Sequence, residues 1–153
     1  MSIPPIPQGY HSIQAYLVVR DADRALGFYR KLFDATELTR MIQPGTEKIM
    51  HAELRIGDSV LMLAEESEAW GVFSPVKYGG SPVSLMHYVP DVDTTFDKAS
   101  AAKCEILMPP TDMFWGDRFC KFKDPFGHVW GVATHKFDPT PEQLAAGAQQ
   151  FGG

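Results

Sequence analysis

There is no asparagine anywhere in the 153 residues, and there are only two cysteines. The first absence removes any N-glycosylation sequon. The second leaves too little sulfur for a disulfide framework, and Cys104 and Cys120 lack the CxxC spacing of a thiol metal site. Positive charge is also short: 14 Lys and Arg stand against 19 Asp and Glu, a formal net charge of -5. Phosphate binding needs concentrated Lys and Arg, so nucleic acid is not expected as a partner. No apolar run approaches the roughly 20 residues that cross a bilayer. The opening stretch MSIPPIPQGYHS lacks the charged-then-apolar layout of a signal peptide. These absences predict no membrane partner and a cytoplasmic location. HExxH, GxSxG, P-loop and GxGxxG patterns are missing too, and neither cysteine sits in a recognisable catalytic context.

What is present is ordinary in amount, with 44% apolar and 22% charged residues as in soluble globular domains. Its arrangement is informative, because the chain carries a faint internal repeat. QAYLVVRDADRALGFYRKLFDATEL from Gln14 and SLMHYVPDVDTTFDKASAAKCEIL from Ser84 align without a gap over their first halves. Both contain V-x-D-x-D: Val19, Asp21 and Asp23, then Val89, Asp91 and Asp93. Each copy starts as an apolar strand and continues at helical spacing. Ala22, Ala25, Leu26, Tyr29, Leu32 and Phe33 form the first stripe, with Asp21 placed to cap the helix. Val92, Phe96, Ala99 and Ala102 form a thinner second stripe.

Strand signals follow each helix. EKIMHAELRIG alternates, with Met50, Ala52, Leu54 and Ile56 on one face and His51, Glu53 and Arg55 on the other. A Gly57-Asp58 turn leads into SVLMLAE, which reads as a buried strand. RFCKFK, a turn from Asp124 to Gly127, and HVWGVATH repeat the plan. The chain therefore reads as one domain over residues 1–153, built from two βαβββ modules at 13–66 and 83–135. A Gly-, Pro- and Ser-rich linker at 67–82 joins them. Residues 136–153 form an appended helix and tail, with Pro141 in its first turn. The predicted class is α+β, a curved, partly open barrel-like mixed sheet with helices outside.

This paired layout, together with FYRKLFDA, MHAELRIGDSVLMLAEE, PPTDMFWGDR and DPFGHVWGVATH, resembles the vicinal oxygen chelate (glyoxalase/bleomycin resistance/extradiol dioxygenase) superfamily, and within it the PhnB-like branch. The resemblance runs from about Ile13 to the C-terminal helix. It implies a small-molecule ligand, a homodimer and, in metal-using members, one ligand from the first and one from the last strand of each module. A divalent ion held there polarises a carbonyl and stabilises an enediolate. The matching positions are Gln14, Met62 or its neighbour Leu63, Ser84 and Gly131. Gln14 offers an oxygen, Ser84 is a poor ligand, Met62 is soft, and Gly131 has no side chain. The expectation is a cavity that binds a small organic molecule with no cofactor, a divalent metal on a non-standard ligand set staying open as the alternative.

The candidate ligand-binding residues are Gln14, Tyr16, Met62, Ser84, Phe114, Trp115, Arg118 and Gly131. Gly131 and Ala133 are expected to leave room for ligand, while Trp130 and Val132 face the helices. Phe114 and Trp115 offer rings for stacking. Arg118 offers a fork for a carboxylate or phosphate, and equally fits pairing with Asp117 or another acid. His51 and Glu53, two apart on one strand face, are the candidate catalytic residues for a glyoxalase-like lyase or isomerase acting on a carbonyl compound, and fit as well a merely solvated polar pair. His87 reads as a core or interface histidine. His11, His128 and His135 fall at a terminus, a turn and a strand end.

Overall fold

The V-x-D-x-D motif starts both long helices by the same means. Asp21 and Asp91 are extended (φ -136°, ψ 92° and φ -143°, ψ 100°), and their carboxylates accept from free N–H groups of the first turn. The computed structural model, which describes residues 2–152, shows α1 at Ala22–Phe33 and α3 at Val92–Ala101. The chain divides into two compact units: residues 1–81 with 126–128, and residues 82–125 with 129–153.

In the first unit β1 (Ala15–Val19), β4 (Ser59–Glu65), β3 (Ile49–Ile56) and β2 (Thr36–Ile42) lie side by side in the order β1-β4-β3-β2. The β1–β4 pair is parallel and the others antiparallel. The six stripe residues of α1, from Ala22 to Phe33, are its buried ones. They pack with Leu54, Leu63 and Ala52, all fully buried, as an amphipathic stripe set on an alternating sheet requires. Met50 is only half-buried and Ile49 takes its place in the core. The cause is a register irregularity in which Met41 opposes His51 but Ile42 opposes Ile49. Residues 126–128 complete this unit: Phe126 packs edge-on to Phe28, and His128 Nε2 lies 2.9 Å from the Val18 carbonyl oxygen. The linker is structured, with a Ser67–Val72 bridge and a short helix α2 (Pro75–Tyr78). Fully buried Ser74 donates to Glu66 at 2.6 Å.

The second unit repeats the order as β5 (Ser84–Tyr88), β8 (Val129–His135), β7 (Asp117–Lys123) and β6 (Glu105–Asp112). Here β5–β8 is the parallel pair. The architecture is thus α+β with two four-stranded mixed sheets and no closed barrel. α3 buries Val92, Thr95 and Ala99. Ala102, expected in the stripe, is exposed, because the helix has ended there and Lys103 turns left-handed at φ 63°. Trp130 and Val132 are buried on the helix side, as alternation requires, and the Trp130 indole N–H donates to Asp124 at 2.9 Å. α4 (Pro141–Phe151) begins at Thr140 with a reciprocal capping box through Gln143. None of the described helices is long and apolar enough to cross a membrane.

Candidate functional site

Strand register decides which of the candidate residues meet. In the first unit Tyr16 of β1 opposes Met62 of β4, and Met62 opposes Glu53 of β3, so the three share one sheet face. His51, two residues before Glu53, points the same way. The side chains form a continuous chain: Tyr16 Oη lies 2.8 Å from His51 Nδ1, and His51 Nε2 lies 3.0 Å from Glu53 Oε1. The other Glu53 oxygen accepts from the phenol of Tyr10. Both oxygens are acceptors, so the consistent assignment has His51 donating from Nε2 and receiving the Tyr16 proton at Nδ1. Burial works to raise the Glu53 pKa. Hydrogen bonds from Tyr10 and His51, with the charge of His51, outweigh it and hold the carboxyl below its usual range. The Tyr16 phenol is shifted upward by burial and by the nearby Glu53 charge.

Tyr10 carries no signal in the sequence, since it lies in an aperiodic stretch. The segment is brought onto the sheet by Gly9 (φ 84°), whose carbonyl accepts from Arg55 at 3.4 Å. A Cβ on Gly9 would stand 3.1 Å from the Arg55 guanidinium. Gln14 is committed to the same segment: its Oε1 accepts from His11 N at 2.7 Å and its Nε2 donates to His11 O at 2.8 Å.

In the second unit the candidates separate. Arg118 lies on the helix side, held by Asp93 at 2.8 Å and 3.0 Å and by Asp112 at 3.2 Å. It pairs with these acids and not with Asp117. Buried Asp117 instead accepts from Tyr88 at 2.9 Å and lies 2.7 Å from His135 Nδ1, while His135 Nε2 lies 2.7 Å from Asp138. Those two carboxylates, Asp117 first, raise the His135 pKa. Phe114 and Trp115 meet edge to face, and both pack against Phe151 of α4, Trp115 edge-on and Phe114 at a tilt. Gly147 of α4 seats against the Phe114 ring so closely that a Cβ would clash at 2.4 Å. Ser84 is exposed at the start of β5 opposite Val129. The room expected over Gly131 is filled, because a Cβ there would meet the Phe119 ring at 2.8 Å and Met86 Sδ at 3.2 Å. Burial lowers the pKa of His87. Buried Cys104 and Cys120 have thiols pushed up to about 12 and about 11, chiefly by burial, which keeps them protonated and unreactive.

The donor set does not fit the metal that the fold family implies. Met62 is a soft thioether, the Gln14 amide is clasped at both ends, and Gly131 has nothing to offer. His51 and Glu53 meet two phenols, and among the described residues no three His, Cys, Asp or Glu side chains gather as a metal-holding group.

A doubled βαβββ architecture with one parallel pair in each sheet defines the class of protein. The model of the Glyoxalase/Bleomycin resistance protein/Dioxygenase superfamily matches residues 10–132, and the chain belongs to that superfamily. It is 35% identical over 145 residues to an uncharacterized protein of Mycobacterium bovis, Mb0911c, covering 92% of this chain and 94% of that one. Among solved structures it is similar to TioX from Micromonospora sp. ML1 (29% identity, TM-score 0.63, 82% and 98% of the two chains). It also shares the fold of a PhnB protein from Bacillus cereus (21% identity, TM-score 0.64, 81% and 99% of the two chains).

Proposed function

We propose that this chain is a PhnB-like, small-organic-molecule-binding protein that works without the superfamily's metal. The observation that carries the reading is the Tyr16–His51–Glu53–Tyr10 chain on the sheet face of the first unit. The face that would present metal ligands carries instead a wall ring, an apolar Met62 and an ordered set of neutral and anionic polar groups. Such a mixture orients a ligand through a few fixed polar contacts over an apolar floor. Gln14 and Ser84 stand at the edges of the two sheets, and Phe114, Trp115 and Gly131 serve the binding fold chiefly by shaping its second unit. The same proposal includes assembly as a homodimer in the cytoplasm. Light scattering tests the dimer, and a monomer mass refutes it.

The first test is elemental analysis of untagged protein after incubation with nickel, zinc, manganese and iron followed by desalting. No retained metal is expected, and near-stoichiometric metal overturns the reading. Thermal-shift screening of small organic molecules then follows, with His51→Ala and Glu53→Gln weakening any hit by about tenfold.

One observation favours a second reading, a lyase or isomerase acting on a carbonyl compound. His51 is held in a fixed tautomer between Tyr16 and Glu53, as a general base needs to be. Against it, the Glu53 carboxyl is held low and both its oxygens are engaged, which makes it an acceptor more than a base. Turnover lost in His51→Ala with binding retained would establish the enzyme.

A further inference from the structure

The sheet face of the second unit carries a cation that nothing in the proposed function uses. Lys121 of β7 opposes Gly131 of β8, and Gly131 opposes Met86 of β5, so Met86, Gly131 and Lys121 stand in one row on one face. Because Gly131 has no side chain, the Phe119 ring and Met86 Sδ close over it and make an apolar floor. The adjoining row adds Tyr88, opposite Ala133, which is itself opposite Phe119. Tyr88 is 58% exposed, yet its phenol is fixed by Asp117 at 2.9 Å, so its ring is held in place. Lys121 stands at the border of this floor and is half-buried. Its neighbour on the same face, Lys123, is neutralised by Glu105 at 2.6 Å, and Arg118 on the other face is taken by Asp93. Among the described residues the Lys121 ammonium has no hydrogen-bond or ion-pair partner.

A half-buried lysine beside aromatic and thioether groups is complementary to one kind of ligand. We infer that the β5–β8–β7 face, through Lys121 over the Met86–Phe119–Tyr88 floor, binds a planar aromatic carboxylate. The ring lies on the floor, where sulfur and aromatic contacts are favourable, and the carboxylate takes the hydrogen-bonding capacity of Lys121. The site lies within the second unit and does not depend on the Tyr16–His51–Glu53–Tyr10 face.

The probes are 2-naphthoate and its neutral isostere 2-naphthamide, each titrated into 15N-labelled full-length protein. Naphthoate should bind about tenfold or more tightly than the amide, with shifts centred on β5, β7 and β8. Lys121→Gln should abolish that preference and Lys121→Arg should keep it, the spectra themselves reporting an intact fold. Equal affinities for the two probes in the unmodified protein overturn the inference. So do a preference that survives Lys121→Gln and shifts confined to β1–β4.

Discussion

The two units share a plan and differ in what fills it. Their sheet orders match strand for strand, and each long helix is capped by the first aspartate of its motif. Each also receives one side chain from the end of its last strand: Glu65 accepts from Ala22 N at 3.2 Å, and Thr134 accepts from Val92 N at 2.8 Å. Yet α1 buries Leu26, Tyr29, Leu32 and Phe33, whereas α3 buries only Val92, Thr95 and Ala99. The second unit has aromatic packing elsewhere, in the Phe114, Trp115 and Phe151 cluster under α4. On the sheet faces, Glu53 and Lys121 occupy the same register position, opposite Met62 and Gly131 respectively. A duplicated topology constrains caps and alternation, while side-chain volume and charge are free to diverge wherever the pattern is kept.

The largest expected contrast is in the helix cores. Tyr29 is fully buried between Phe28, Phe33 and Phe126, so Tyr29→Ala should lower unfolding free energy by about 3–5 kcal/mol. Thr95→Ala, at the corresponding depth of α3, should change it by under about 1 kcal/mol. Urea denaturation of both variants checks this, and equal losses would end the claim that the first helix carries the heavier core.

A smaller effect comes from exchanging the positions that differ on the sheet faces. Gly131→Met must displace the Phe119 ring and Met86, at a cost of about 1–3 kcal/mol. Met62→Gly removes a half-buried side chain from a strand interior and should cost about 1 kcal/mol. Thermal melts of the pair rank them, and a stabilised Gly131→Met would show that the floor over Gly131 is loose.

The caps sharpen the comparison further. Asp91 accepts from Asp93 N, Thr94 N and the Thr94 hydroxyl, whereas a single cap bond to Asp21, from Arg24 N, is seen. Each aspartate-to-alanine change should cost about 1 kcal/mol, with Asp91→Ala the greater; the reverse order by denaturation midpoint would contradict the geometry.

The smallest effects are opposite in pH. Glu53 has a folded pKa below its ordinary 4.5, so its stabilisation is present above that value and is lost as pH falls through the folded pKa. His135 has a folded pKa above its ordinary 6.5, so its stabilisation is present below that value and is lost as pH rises through the folded pKa. Melting temperatures from about pH 3 to 9 should therefore lose part of their acid dependence in Glu53→Gln and part of their neutral-to-alkaline dependence in His135→Gln. Unchanged profiles in both variants would remove these groups from the pH response.

Much of the fold was legible because its signals are local. Asp21 declares a cap, the α1 stripe declares its buried face, and the alternation from Ala52 to Ile56 declares which face carries His51 and Glu53. The candidate site was legible only in part. Parity on β3 put His51 beside Glu53, but Tyr10 arrives from an aperiodic segment through a left-handed Gly9. Arg118 likewise had several acids within plausible reach in sequence, and only the approach of α3 to β7 selected Asp93 and Asp112. Gly131 read as space because a missing side chain is visible in sequence, while the Phe119 and Met86 atoms that fill it belong to other strands.

By itself, then, the sequence determined the doubled βαβββ plan, the helix starts and the facing of the strands away from the irregularity at Met50, since periodicity and capping act between residues a few positions apart. The tertiary structure alone decided that Tyr16, His51, Glu53 and Tyr10 form one hydrogen-bonded chain, and that Lys121 stands beside an aromatic floor. Those outcomes depend on strand register and on the path of an irregular segment, which bring together atoms from distant parts of the chain.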